Sequence, residues 1–304
     1  MIDGRIRLVL AGALVALAAL AAVPGGTTAP TAPPAGPILY RGLLTCPFDP
    51  RVSECEGLPA YRSALYLVPG VGAPARRLTD GRFDDSQPGW SPDRRRIAFV
   101  RTTRATGSQV WIMDASGRAA HRLTRGRVDG GPDWSADGRW IAYRSGTDVY
   151  VIRPDGTGRR NVTRNASGVG ATDPTWSADG RRLPFKRSAT PVGTGVYSIG
   201  VDGKGLRRLA HDGYEPDWSP DGRIAYLRRV PSATGWQLYT MGPGGGSKRR
   251  ITRDGNHVSP HFSPDGRWIA VARNGQVTVM RADGSAVKQL TKRRAAFTVD
   301  GVAW

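Results

Sequence analysis

Three of the four histidines, His211, His257 and His261, fall in one stretch of the chain, with Glu215 and Asp217 between them. Two or three imidazoles and a carboxylate make a feasible ligand set for zinc, manganese or iron, because neutral ring nitrogens donate to the ion and the carboxylate offsets its charge. Their spacing follows no metal-binding motif, so they are weak candidates, and no cofactor is expected. A Ser–His–Asp nucleophile is weaker still. Serine and aspartate are abundant enough to produce such trios by chance, and the G-x-S-x-G elbow of serine hydrolases is absent.

Carboxylates form the second group. Asp84, Asp85, Asp129, Asp133, Asp173, Tyr214, Glu215, Asp217, His257 and His261 all lie shortly before a recurrent aromatic position and are the candidate binding residues. The chain carries 44 Lys and Arg against 25 Asp and Glu, a formal charge of +19. An acidic concentration on so basic a chain favours a cationic or amide-bearing ligand, a lysine-rich segment or a metal ion; the same aspartates would also serve simply to cap turns. The basic pairs Arg76-Arg77, Arg159-Arg160, Arg207-Arg208 and Arg249-Arg250 recur as well. They would either hold an anionic wall or lipid polymer or form a solvated rim. Nucleic acid is not expected as a partner, since basic residues are not interleaved with aromatics.

What must position these side chains is a repeat. Trp90, Trp134, Trp176, Trp218, Phe262 and Trp304 follow one another at intervals of 44, 42, 42, 44 and 42 residues. A period of 40–45 residues made of short β-prone runs and Gly-containing turns is the signature of a propeller blade. In residues 216–223, PDWSPDGR, a first strand ends at Trp218 and a Pro-Asp-Gly turn returns the chain. Second strands then read as continuous apolar runs (Ile97 to Val100, Ile141 to Tyr143, Ile224 to Leu227, Ile269 to Ala272), as expected where neighbouring blades cover both faces. A third strand follows, then a fourth ending in Leu-Thr, as at Leu78-Thr79, Leu123-Thr124 and Leu290-Thr291.

Pro88, Pro132, Pro174, Pro216 and Pro260 each stand two residues before the anchor. A proline cannot donate to a ladder, so the first strand should be the inner edge. Pro184, in a second strand, should cause a bulge or a lost ladder bond. The segment before Gln87 holds second, third and fourth strands but no first, which Val299 to Trp304 supplies. The expectation is an all-β, six-bladed β-propeller of four-stranded blades, closed by the C-terminal strand completing the first blade, over residues 38–304 and monomeric.

Ahead of it, Arg5 and Arg7 precede an apolar run from Leu8 to Val23, read as a signal peptide over residues 1–23. A membrane role would need that signal to stay uncleaved. Residues 24–37, with five prolines, read as an extended linker. Cys46 and Cys55 are the only cysteines and, in an exported protein, favour a local disulfide.

The phrase PxWSPDGRxIAF…DGSxxRRLT, realised in residues 88–124, 216–252 and 260–291, resembles the repeat of the TolB-type propellers, over nearly all of the chain after residue 38. That resemblance implies a six-bladed propeller of the periplasm or cell envelope that binds a lipoprotein of the Tol–Pal system. The family's separate N-terminal α/β domain is expected to be missing here, with a proline-rich tether in its place. The implied role is an exported, non-catalytic scaffold that binds an envelope protein or peptide through channel-mouth loops, extracellular, wall-associated or periplasmic, with an anionic wall polymer as a further partner. Propeller-type oligogalacturonate lyases use channel-mouth histidines with a metal, and by that analogy the alternative is a metal-dependent lyase or hydrolase acting on an anionic saccharide at the same mouth.

Overall fold

The computed structural model describes residues 36–45, 61–70, 73–165, 168–189, 193–231, 235–291 and 297–304. Residues 1–35, and with them the expected signal and most of the linker, lie outside that set, as does the Cys46–Cys55 pair. Among the described residues every regular element is a strand. The fold is a β-propeller with four-stranded blades.

Four blades are separate antiparallel sheets. They are β8 (Asp129–Trp134) to β11 (Arg160–Asn161) by way of β9 (Ile141–Ser145) and β10 (Asp148–Ile152); β12 (Val169–Thr172), β13 (Arg182–Ala189), β14 (Gly193–Gly200) and β15 (Arg207–His211); β16 (Gly213–Trp218), β17 (Ile224–Arg229), β18 (Trp236–Met241) and β19 (Arg249–Arg250); and β20 (His257–Phe262), β21 (Trp268–Arg273), β22 (Gln276–Arg281) and β23 (Lys288–Gln289). The other eight strands share one sheet. In it, β24 (Phe297–Ala303) pairs with β1 (Ile38–Thr45), which pairs with β2 (Tyr61–Val68) and onward to β3 (Arg76–Arg77). A second run follows, β4 (Asp84–Trp90), β5 (Arg96–Thr103), β6 (Gly107–Asp114) and β7 (His121–Arg122). A single parallel bridge, Ser63 to Asp84, fuses the two runs. Strand pairing therefore gives five sheets where the repeat predicts six blades, and that one bridge is the reason.

Burial follows the apolar runs. Ile97, Ala98 and Phe99 are wholly buried and Val100 nearly so, as are Ile141 to Tyr143, Ile224 to Leu227 and Ile269 to Ala272. Consecutive residues of a strand face opposite ways, so this pattern requires a hydrophobic neighbour on each side. The buried side chains form separate clusters between successive four-stranded units, for example Ala98, Val110 and Ile112 with Trp134, Ile141 and Tyr143.

The Leu-Thr phrase has a specific use. The Oγ1 atoms of Thr79, Thr124, Thr163, Thr252 and Thr291 accept the backbone N–H of Leu65, Val110, Val149, Leu238 and Val277, at 2.9–3.0 Å. The outer strands of those units pair over only two residues, so the hydroxyl stands in for the next carbonyl of the ladder and satisfies an amide that would otherwise be buried without a partner. Where Ala210 replaces that threonine, β15 continues for five residues and backbone pairing does the same work.

Pro184 produces no bulge against β14, whose register runs unbroken from Arg182↔Gly200 to Ala189↔Gly193. The ladder is lost on the other side. Pro184 stands where its siblings Ala98, Ala142, Ala225 and Ala270 pair with the residue before the anchor, and β12 stops at Thr172. The Thr175 N–H still donates to the Pro184 carbonyl at 3.0 Å, but proline has no N–H to return.

Candidate functional site

The first strands line a central cavity of about 740 Å³. Their prolines do more than mark an edge. The register slips between Ser86 and Gly89, Gly130 and Asp133, Tyr214 and Asp217, and Val258 and His261, so four of the five X-Pro pairs sit in a β-bulge, and the fifth, Asp173-Pro174, follows the end of β12. Proline disfavours the right-handed α conformation in the residue before it. That residue is left-handed in Gln87 (φ 48°), Asp173 (54°), Glu215 (46°) and Ser259 (49°), with Gly131 at 57°. Left-handed backbone in a non-glycine residue costs on the order of 1 kcal/mol or more. Ties to the next unit offset that cost: Gln87 Oε1 accepts the Gly131 N–H at 2.8 Å, and Glu215 Oε2 accepts the Ser259 N–H at 2.6 Å. These residues form the upper tier of the channel wall.

The residue before each anchor forms a lower tier. Asp133 Oδ2 accepts the Trp176 N–H at 2.7 Å, and the Trp176 indole donates to the Asp133 carbonyl at 3.1 Å. Asp217 Oδ2 accepts the Phe262 N–H at 2.7 Å, while its Oδ1 lies 3.4 Å from His261 Nδ1. Burial, reinforced by the Asp217 charge, lifts the Asp133 carboxyl to about 7. Burial likewise raises Glu215, with the Asp173 charge adding to it. His261 is depressed by burial, but Asp217, Asp133 and Glu215 outweigh that and hold it above its ordinary value. A carboxyl lifted to about 7, with a glutamate and a histidine beside it also shifted upward inside one cavity, is a physical mark of a functional site.

The residues singled out from the sequence divide sharply. Asp133, Asp173, Glu215, Asp217 and His261 line the channel together, and Asp84 stands in its wall, ion-paired with Arg41 at 2.9 Å and accepting from Ser63. Asp85 is fully buried in a two-pronged ion pair with Arg101, at 2.7 and 2.9 Å, so it is a structural residue rather than a ligand contact. Asp129 is also buried but lines the cavity, and its Oδ2 caps the Gly126 N–H. Tyr214 packs edge-on against Trp236 at 4.4 Å, beside Lys186.

The histidines do not converge. His211 is exposed at the end of β15, His257 is wholly buried with Nε2 2.8 Å from the Asp254 carbonyl, and only His261 faces the channel. Among the described residues no three His, Cys, Asp or Glu side chains gather closely enough to hold an ion. Gln87, Thr175 and Ser259 were missed by residue-type reasoning. Aligning the repeat on its anchor, and reading the third and first positions before it, would have found them.

The basic pairs also divide. Arg76 donates to the Ser116 carbonyl, Arg160 to Val201 and Arg207 to Pro243, each reaching the third-to-fourth turn of the next unit. One member of each of these pairs therefore cements neighbouring units.

Strands radiating from a polar, titratable channel define a β-propeller with a central-channel site. The family model for the TolB beta propeller domain matches residues 131–298, and the chain belongs to that family. An uncharacterized protein of Agrobacterium fabrum is 32% identical over 112 residues, 35% of this chain and 38% of its own. A TolB homolog of Chlorobium luteolum is 30% identical over 102 residues, 33% of this chain and 23% of its own. The aligned stretch thus spans well under half of these relatives' length. The crystal structure of TolB from Acinetobacter baumannii superposes with a TM-score of 0.70 at 19% identity, over 90% of this chain and 68% of that one, a likeness of fold.

Proposed function

We propose that this chain is an exported, non-catalytic scaffold that binds an envelope protein or peptide at its channel mouth. In this reading residues 1–23 direct export, residues 24–37 are a tether, and residues 38–304 form a six-bladed ring, with a disulfide between Cys46 and Cys55. The fused sheet counts as two blades: its halves share one bridge, and a core cluster of Leu39, Leu65, Ile97 and Phe99 lies between them as between other neighbours.

The observation that carries the binding role is the channel. Its volume is that of a ligand site. Among the described residues no lysine or arginine forms an ion pair with Asp133, Glu215 or Asp217. A strongly basic chain that leaves these carboxylates without such partners has an inner wall suited to amide and cationic groups of a polypeptide. Among the described residues the metal-dependent alternative has no gathered ligand set.

A cross-linked pull-down from the envelope, washed at about 0.15 M and then about 1 M salt, tests the scaffold. A discrete protein retained at high salt, and lost with Asp173→Asn plus Glu215→Gln, is the expected result. Material lost at high salt would assign attachment to the basic rim instead, and an empty lane would overturn the proposal.

A further inference from the structure

The lower tier is built unevenly. In chain order its positions are Gly89, Asp133, Thr175, Asp217, His261 and Ala303, all lining the cavity. Four consecutive positions are polar, and the remaining two are the smallest residues available. Thr175 stands between the two aspartates and lines the cavity, is only 8% exposed, and its buried hydroxyl has no hydrogen-bond partner among the described residues. A buried hydroxyl left unpaired is costly, and a group arriving in the channel would satisfy it. Each aspartate has already committed Oδ2 to a main-chain amide, and Asp217 Oδ1 faces His261.

That arrangement discriminates between cations. A guanidinium seeks two free oxygens on one carboxylate. An ammonium presents three diverging donors and takes single oxygens from separate groups. Asp133 and Thr175 offer such single oxygens on one side and Asp217 a third that it shares with His261, while Gly89 and Ala303 place no polar side chain opposite.

We propose that the lower tier holds one primary ammonium group, between Asp133, Thr175 and Asp217. This inference rests on the reading of the channel as a binding site. The group is supplied either by a lysine side chain of the bound polypeptide or by a free polyamine, two sources with the same chemistry.

The full-length chain, isotopically labelled, would be titrated to about 10 mM with Nα-acetyl-lysine methylamide, its Nε-acetylated counterpart, and putrescine. Saturable shifts at Thr175 and Trp176 are expected for the free amines, with at least a tenfold weaker response to the acetylated compound. Tighter binding of the lysine probe assigns the side chain as the source, and tighter binding of putrescine assigns the free amine. Asp217→Asn keeps an acceptor for the Phe262 amide and should weaken binding about tenfold; Thr175→Val should weaken it about threefold, and Thr175→Ser should restore it. Equal responses to the acetylated and free probes, no saturation, or undiminished binding by both Asp217→Asn and Asp133→Asn would overturn the proposal. A partner captured in the pull-down but indifferent to those variants would sink this inference alone. Amine binding alongside an empty pull-down would sink only the scaffold.

Discussion

The inner and outer edges of the blades solve one problem by opposite means. At the outer edge a short strand leaves an amide to be satisfied, and a neutral threonine hydroxyl of the same blade accepts it, as Thr124 does for Val110. At the inner edge the amides to be satisfied belong to the next unit, and charged side chains accept them, as Asp133 does for Trp176 and Glu215 for Ser259. The outer solution is cheap and local. The inner one adds left-handed backbone at Glu215 and a carboxyl lifted to about 7 at Asp133. A neutral acceptor works at the inner edge too, as Gln87 shows. Charge retained where a neutral group would serve points to a use beyond stability.

The largest expected effect tests whether the inner edge is one closed system. Removing residues 297–304 deletes β24, whose Leu39↔Ala303 to Leu44↔Phe297 pairing joins the C-terminus to β1. Both an inner strand and the cover over Trp268 and Val279 go with it. The truncated chain should lose its cooperative thermal transition or melt at least about 10 °C lower, well beyond the few degrees expected per kcal/mol in a domain of this size. An unchanged melt would show that the edge is not closed by this strand.

Thr124→Val isolates the outer edge. It removes the acceptor while keeping shape, so the buried Val110 amide should cost about 1–3 kcal/mol in denaturant unfolding. Amine and partner binding should not change. If binding moves with stability, the edges are coupled and the contrast fails.

Asp133→Asn probes the inner edge by its pH dependence. The folded-state value near 7 lies above the ordinary carboxylate value, so the folded protein holds a proton there that the unfolded chain has released. Wild-type stability should therefore fall as pH rises from about 4 to about 7. Asparagine still accepts from Trp176 without that penalty, so the variant should be more stable than wild type by on the order of 1–2 kcal/mol at pH 8, the channel water reducing the full electrostatic value. The gain should vanish by about pH 4. A variant less stable than wild type at pH 8 would mean that the charge strengthens the Trp176 tie by more than its burial costs.

Much of this fold could be read in one dimension. Anchors such as Trp134 and Trp176, runs such as Ile97 to Val100 and turns such as Pro-Asp-Gly at 220–222 are local signals, set by residue type and period. The site was legible only in part. Asp85 and Asp129 are the same residue five positions before an anchor, yet the first is locked to Arg101 and the second caps a loop and lines the cavity. What separates them is the residue opposite on the paired strand, a cation at Arg101 for Asp85 and a neutral Ser145 for Asp129.

By itself, then, the sequence determined the period, the four-stranded blade, the hydrophobic second strands and the Leu-Thr phrase of the outer edge, because each depends on contacts within one repeat or on alternation along one strand. Tertiary structure alone decided which carboxylates tie one unit to the next, which are neutralised by arginine, and which single histidine faces the channel. The ties between units depend on side chains from repeats some 40 residues apart, and even the Asp85–Arg101 pair forms only once two strands of a blade have paired, so neither leaves a mark on the local pattern.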